Sequence, residues 1–90
     1  MLEIGYAGQF KKDYKTCKKR GYDMNLLQNI IDILAVPDQL PAKNKDHDLK
    51  GDFIGKRECH ILPDWLLIYR IEGKTLMLYR TGTHSDLFRF

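Results

Sequence analysis

The sequence predicts an α+β fold, a mainly antiparallel four-stranded sheet with two N-terminal helices packed on it, in the order β-α-α-β-β-β. Three observations predict it. Apolar residues recur at helical spacing in two early segments. Three short runs rich in apolar and aromatic residues fill the second half. Glycine- and proline-bearing turns separate those runs.

In chain order, residues 1–6 form a short strand, ended by the glycines at positions 5 and 8. From Gln9 to Arg20 the apolar positions Phe10, Tyr14 and Cys17 are spaced i, i+4, i+7, one face of a helix surrounded by lysines. Gly21 closes it, because glycine alone accepts the left-handed conformation just past a helix end without steric cost. Asp23 is the expected N-cap of the second helix, its carboxylate accepting from free N–H groups of the first turn. Tyr22 and Leu27 stand at the positions of a hydrophobic staple. Met24, Leu27, Ile31 and Leu34 make the inner stripe, broadened by Leu26, Ile30 and Ile33, and Pro37 ends the helix. A loop follows over residues 37–44. Strands are then expected at 52–61, 65–71 and 74–81, with turns at Pro63–Asp64 and Glu72–Gly73.

A chain of 90 residues suits one domain over residues 1–90, marginal in stability unless its core is dense or a partner adds to it. Fifteen Lys and Arg against twelve Asp and Glu leave a mild excess of +3, so distribution matters more than total. Lys11, Lys12, Lys15, Lys18, Lys19 and Arg20 crowd the first helix; Lys43, Lys45, Lys50, Lys56 and Arg57 lie in the middle of the chain; Arg70, Arg80 and Arg89 follow. The lysine-rich helix is a solvated face opposite an apolar stripe, and the same face is suited to RNA phosphates. Cys17 and Cys59 are far apart and form no CxxC pair, which implies free thiols in a reducing, cytoplasmic setting. There is no basic segment followed by an apolar one to act as a signal peptide. No apolar run approaches the roughly 18–20 residues that span a bilayer.

The chemistry-bearing stretch is KDHDLKGDFIGKRECHILPDW, residues 45–65, which holds His47, His60, Asp64 and Trp65 among basic residues. His84 follows in RTGTHSDLF. An unperturbed imidazole has a pKa near 6.5 and so both takes and gives protons at neutral pH. Cleaving RNA without a metal needs a base for the ribose 2′-OH, an acid for the departing 5′-oxygen, and a cation for the charged phosphorane. His47, His60, His84 and Asp64 suit the proton roles, Arg57 and Arg80 the phosphate, and Trp65 and Phe88 the stacking of an unpaired base. Taken singly, each histidine reads first as an ordinary surface or capping residue; as a group they depart from that reading, because all three lie in the loop-and-strand half beside Asp, Arg or aromatic residues. Asp46 and Asp48 flank His47, where negative charge favours the charged imidazole or simply makes the loop polar. His60 and Asp64 stand four apart across a proline turn rather than on a helix, and neither cysteine is spaced as a ligand, so no metal or other cofactor is expected.

KDHDLKG, GKRECHILPDWLLIY and RTGTHSDLF, with the opening GQFKKDYK and KRGYDMNLL, resemble the YafQ-like branch of the RelE/ParE superfamily of bacterial toxins over nearly the whole chain. The resemblance implies the compact RelE-like fold and a ribosome-dependent endoribonuclease of a type II toxin–antitoxin module. Such toxins cut messenger RNA in the ribosomal A site without a metal, leaving a 2′,3′-cyclic phosphate (or its opened 3′-phosphate) and a 5′-hydroxyl. It implies that His47, His60, Asp64 and His84 are active-site positions: His60 or His47 the base, His84 the acid, Asp64 orienting a histidine. Trp65 and Phe88 lie beside them, with Arg57, Arg80, Lys45 and Lys50 toward RNA or phosphate. The implied partners are the 70S ribosome, messenger RNA and a cognate antitoxin, whose C-terminal segment wraps the toxin and whose N-terminal half binds operator DNA; no membrane is involved. Asp48 stands where this branch often has proline, which bears on the role of His47. The competing readings are a non-catalytic ParE-like toxin acting on DNA gyrase, a ribosome- or RNA-binding module that blocks without cutting, and a zinc-dependent hydrolase. The first lacks the histidine set present here.

Overall fold

A computed structural model describes residues 1–36 and 41–88. The expected helix stop at Pro37, the first part of the loop after it, and Arg89 lie outside the described residues.

The first strand, β1 (Glu3–Tyr6), leads into helix α1 (Gly8–Lys19). That helix ends as its sequence requires. Gly21 takes φ +83°, its N–H donates to the Lys18 carbonyl, and the Tyr22 N–H donates to the Cys17 carbonyl. Helix α2 (Met24–Ala35) starts at Asp23, whose side chain accepts from the Asn25 N–H at 3.1 Å.

The second half contains four strands: β2 (His47–Asp48), β3 (Arg57–Leu62), β4 (Trp65–Glu72) and β5 (Thr75–Gly82), followed by a short helix, α3 (His84–Phe88). The sheet order is β1-β5-β4-β3-β2, with β1 parallel to β5 and every other pair antiparallel. Leu62 pairs with Trp65 and Glu72 with Thr75, so Pro63–Asp64 and Gly73–Lys74 are two-residue hairpin loops. Gly73 has φ +59°.

The fold differs from expectation in three places. The sheet has five strands, because the His47 segment adds a two-residue edge strand. The strand expected from position 52 begins only at Arg57, because the chain bends through a 3₁₀ turn at Gly51–Phe53 and both Gly51 and Gly55 have positive φ. The third difference is α3. Thr83 and Asp86 cap it reciprocally, the Asp86 N–H donating to Thr83 Oγ1 and the Thr83 N–H to Asp86 Oδ2.

Two apolar layers sandwich the sheet. On one face Phe10 and Cys17 of α1 and Leu27, Ile30, Ile31 and Leu34 of α2 pack with Cys59, Ile61, Trp65, Leu67, Tyr69, Leu76 and Leu78. On the other, Leu66 and Ile68 pack with Leu87, Leu49, Phe53, Tyr79 and Phe88. This explains why WLLIY reads as a continuous apolar run: β4 is covered on both sides. Among the described residues no helix is long and apolar enough to cross a membrane.

Candidate active site

Strand alternation places the site. Cys59 and Ile61 face the two long helices, so Glu58 and His60 face the opposite side, in register with Ile68 and Leu66 of β4. His47 pairs directly with Glu58 across the edge of the sheet. The Thr83–Asp86 cap turns α3 back over the same face and carries His84 to it. Three separate elements therefore bring three histidines together. The ring centroids of His47 and His60 are 6.4 Å apart, and those of His60 and His84 5.6 Å.

Carboxylates organise the rings. His84 Nδ1 lies 2.6 Å from Asp64 Oδ1, which also accepts from the His84 backbone N–H at 2.9 Å. These two bonds hold the exposed Asp64 carboxyl below its ordinary range, so it accepts and His84 Nδ1–H donates. His84 Nε2 is then the atom left for chemistry. His47 Nδ1–H donates to the Lys45 carbonyl at 2.6 Å, which likewise leaves Nε2 to work. Glu58, only 4% exposed, sits beneath the group, Oε1 at 3.3 Å from His60 Nε2 and 3.6 Å from His47 Nε2. Ligand atoms of Glu58, His60 and His84 lie within 4.8 Å of one another, close enough to hold one metal ion.

The flanks are cationic and aromatic. A hollow of about 310 Å³ beside His60 is lined by Lys43, Asn44, Lys45, Ile61, Leu62 and Pro63. Asn44 Nδ2 donates to the His60 carbonyl at 2.7 Å, tying this loop to β3. A second hollow, of about 390 Å³, is lined by Lys50, Asp52, Phe53, Leu87 and Phe88. Phe88 lies 6.5 Å from the His84 ring and packs edge-on against Phe53 at 5.7 Å.

Three expected site residues are placed differently. Trp65 is 2% exposed, so its face is closed to a nucleobase. As the first residue of β4 on the helix side, it packs edge-on against Tyr22, and its indole N–H donates to Thr81 Oγ1 at 2.9 Å. Arg80 turns toward α1, its Nε donating to the buried Asp13 at 2.7 Å. Arg57 donates from Nε to Asp46 at 3.2 Å and from Nη1 to Asp48 at 2.5 Å. Each guanidinium already meets carboxylate. The two aspartates beside His47 are turned to Arg57 rather than to the imidazole.

Sequence reasoning missed Glu58. The signal was available in RECH: residues two apart on a strand share a face, so a strand that presents His60 to the site presents Glu58 as well. Asp13 was missed because it falls within a lysine-rich stretch that reads as solvated.

Known proteins share this fold and much of this sequence. The family model described as the bacterial toxin of type II toxin–antitoxin system, YafQ, matches residues 2–89. The mRNA interferase toxin YafQ of Escherichia coli K12 is 46% identical over 89 residues, covering 96% of this chain and 95% of the relative. The E. coli DinJ–YafQ complex contains a chain 45% identical, with TM-score 0.89 over 98% of this chain and 99% of that one. A metal-bound toxin from Helicobacter pylori is 46% identical, with TM-score 0.91 over 98% of this chain and 100% of that one. A match spanning almost every residue, on a fold that assembles the histidine cluster, places the chain in the YafQ family of bacterial type II toxin–antitoxin toxins.

Proposed function

We propose that the chain is a metal-independent endoribonuclease, the toxin of a type II toxin–antitoxin module, which cuts messenger RNA in the ribosomal A site and so stops translation. The observation that carries this reading is the convergence of His47, His60 and His84 from three elements onto one face, with Asp64 and Glu58 as their carboxylate partners. Support also comes from the E. coli relative described as an mRNA interferase toxin.

His47, its Nδ1–H committed to the Lys45 carbonyl, takes the ribose 2′-OH proton on Nε2. The 2′-oxygen attacks phosphorus, the bond to the 5′-oxygen breaks, and His84 supplies the proton to that oxygen from Nε2. Asp64 holds the His84 ring throughout. The products are a 2′,3′-cyclic phosphate and a 5′-hydroxyl, and one proton has moved from 2′-OH to O5′. His60 lies between the other two rings and donates to the phosphorane oxygens. Lys45 and Lys50 border the hollows on either side, suited to the flanking phosphates, while Phe88 and Phe53 offer apolar surface to a base. Arg57 and Arg80 reach phosphate only by giving up their present carboxylates. The exposed lysines of α1 suit ribosomal RNA.

The partner is a cognate antitoxin, as the E. coli relative is found in complex with DinJ; in this reading the antitoxin holds the toxin inactive and operator DNA is met only through the antitoxin. The protein works in the cytoplasm as one RelE-like domain over residues 1–90.

The test is primer extension on messenger from cells expressing the protein, beside single alanine variants of His47, His60 and His84. Discrete cuts within codons that vanish or fade in the variants are expected. Stalled translation without cuts overturns the nuclease reading in favour of a blocking toxin, and undiminished cleavage by all three variants overturns the residue assignment.

A second reading of the same side chains rests on the Glu58–His60–His84 grouping and on the metal-bound H. pylori relative. Two imidazoles and a carboxylate suit zinc or copper. An ion held there occupies the His84 imidazole that supplies the proton to the 5′-oxygen, so it acts as an inhibitor.

A further inference from the structure

We propose that Tyr69, Asp46 and Arg57 form a clamp that positions His47 for catalysis, which makes Arg57 a positioning residue rather than a phosphate contact. The proposal rests on the acid–base reading of His47 given above.

His47 sits in the least secured part of the sheet. Strand β2 is two residues long, lies at an edge and pairs only with Glu58 and Arg57. So short a strand has few ladder bonds and opens at little cost. It follows Lys45, the only non-glycine described residue with positive φ, at +48°. Left to backbone pairing alone, the His47 ring would not hold a catalytic geometry.

Side chains supply what the backbone lacks. Asp46 Oδ1 accepts from the Tyr69 hydroxyl at 2.6 Å and from Arg57 Nε at 3.2 Å. Asp48 Oδ1 accepts from Arg57 Nη1 at 2.5 Å. Both residues flanking His47 are therefore pinned, and its own Nδ1–H is pinned to the Lys45 carbonyl. The anchor is rigid: Tyr69 is 2% exposed, lies on β4 inside the main core and is paired across the sheet with Arg57. Burial and then Asp46 push its hydroxyl well above the usual tyrosine range, which favours the protonated form that donates to Asp46. Rigidity passes from the core through one hydroxyl to Asp46, one residue from the base. A displacement of about 1 Å at a reacting group costs on the order of 100-fold in rate.

The test uses Tyr69→Phe and Asp46→Asn in the full chain, each also combined with His47→Ala. Cleavage of programmed ribosomes and the ¹⁵N resonances of the His47 ring are read together. Tyr69→Phe removes one oxygen from a buried ring, and Asp46→Asn exchanges a loop carboxylate for an isosteric amide, so both changes are small. Each is expected to lower kcat by roughly tenfold or more with KM unchanged. Neither should lower it further once His47 is alanine. The His47 Nδ1–H signal, sharp in the wild type, should broaden or shift toward a mixture of tautomers. Arg57→Lys should retain less than half the wild-type rate, since one ammonium cannot reach both aspartates in a fixed fork.

Wild-type kcat in both variants overturns the clamp, as does an equal loss in the His47→Ala background. A rise in KM alone for Arg57→Lys returns Arg57 to a phosphate role. Should the wild type cut no message, the nuclease reading fails, and the His47 ring signal still decides whether the clamp orders that side chain.

Discussion

Replacing Asp13 by alanine is expected to be among the most destabilising single changes outside the apolar core. Asp13 is 8% exposed on the helix that otherwise carries lysines to solvent. Its carboxylate accepts from Arg80 Nε at 2.7 Å and Nη2 at 3.3 Å, from the Thr81 backbone N–H at 3.2 Å and from Gln9 Nε2 at 3.1 Å. Alanine leaves the Thr81 N–H without that acceptor and a largely covered guanidinium without its counter-charge. Breaking a buried pair from one side costs about 3–5 kcal/mol. Arg80 keeps 24% of its side chain exposed, which puts the loss near the lower end, about 3 kcal/mol. A domain of this length has roughly 5–13 kcal/mol in total, so the loss is large. It corresponds to a Tm lower by about 12–24 °C. The assay is urea denaturation of wild type, Asp13→Ala, Arg80→Ala and the double variant. Because the two side chains share one interaction, the double variant should cost less than the sum of the singles by more than about 1 kcal/mol. A cost under about 1 kcal/mol for Asp13→Ala, or strict additivity, refutes the reasoning and frees Arg80 for RNA.

Further outcomes follow from other contacts. Arg20, then the Thr83 hydrogen bonds, hold the Asp86 carboxyl far below the usual range. That contribution is present above the unfolded value of about 3.9 and is lost as pH falls toward the depressed one. Arg20→Ala should therefore flatten the decline of Tm between about pH 4 and pH 2, and an unchanged slope contradicts the Arg20–Asp86 pair as its source. Burial pushes the Cys59 thiol up to about 12 and raises that of Cys17, so neither should react with a disulfide reagent at neutral pH until the protein is unfolded. Rapid modification of the native protein contradicts this. Added copper(II) should broaden the ring signals of His60 and His84 before those of His47 and inhibit cleavage, with EDTA reversing both. Glu58→Gln should weaken the effect, and equal broadening of all three rings argues against the Glu58–His60–His84 site.

Local rules carried much of the fold. Gly21 ends α1, Asp23 begins α2, and the Pro63–Asp64 and Gly73 turns close their hairpins, because a turn or cap is decided within a few residues. The failures were of longer range or finer grain. Position 52 lies in an apolar–polar pattern that reads as strand, yet two left-handed glycines bend the chain there. The capping pair Thr83–Asp86 was legible but belongs to a helix of five residues, too short for periodicity to reveal.

The sequence alone singled out three histidines and Asp64 as candidates for moving protons near neutral pH. Only the tertiary structure decided which neighbours they have. Glu58 slides under two rings, Trp65 leaves the surface for the core, and both arginines are taken by aspartates up to 67 residues away. Residue type fixes what a side chain can do chemically. Which charges and surfaces it meets depends on contacts between strands and helices remote in the chain, and no local pattern encodes those.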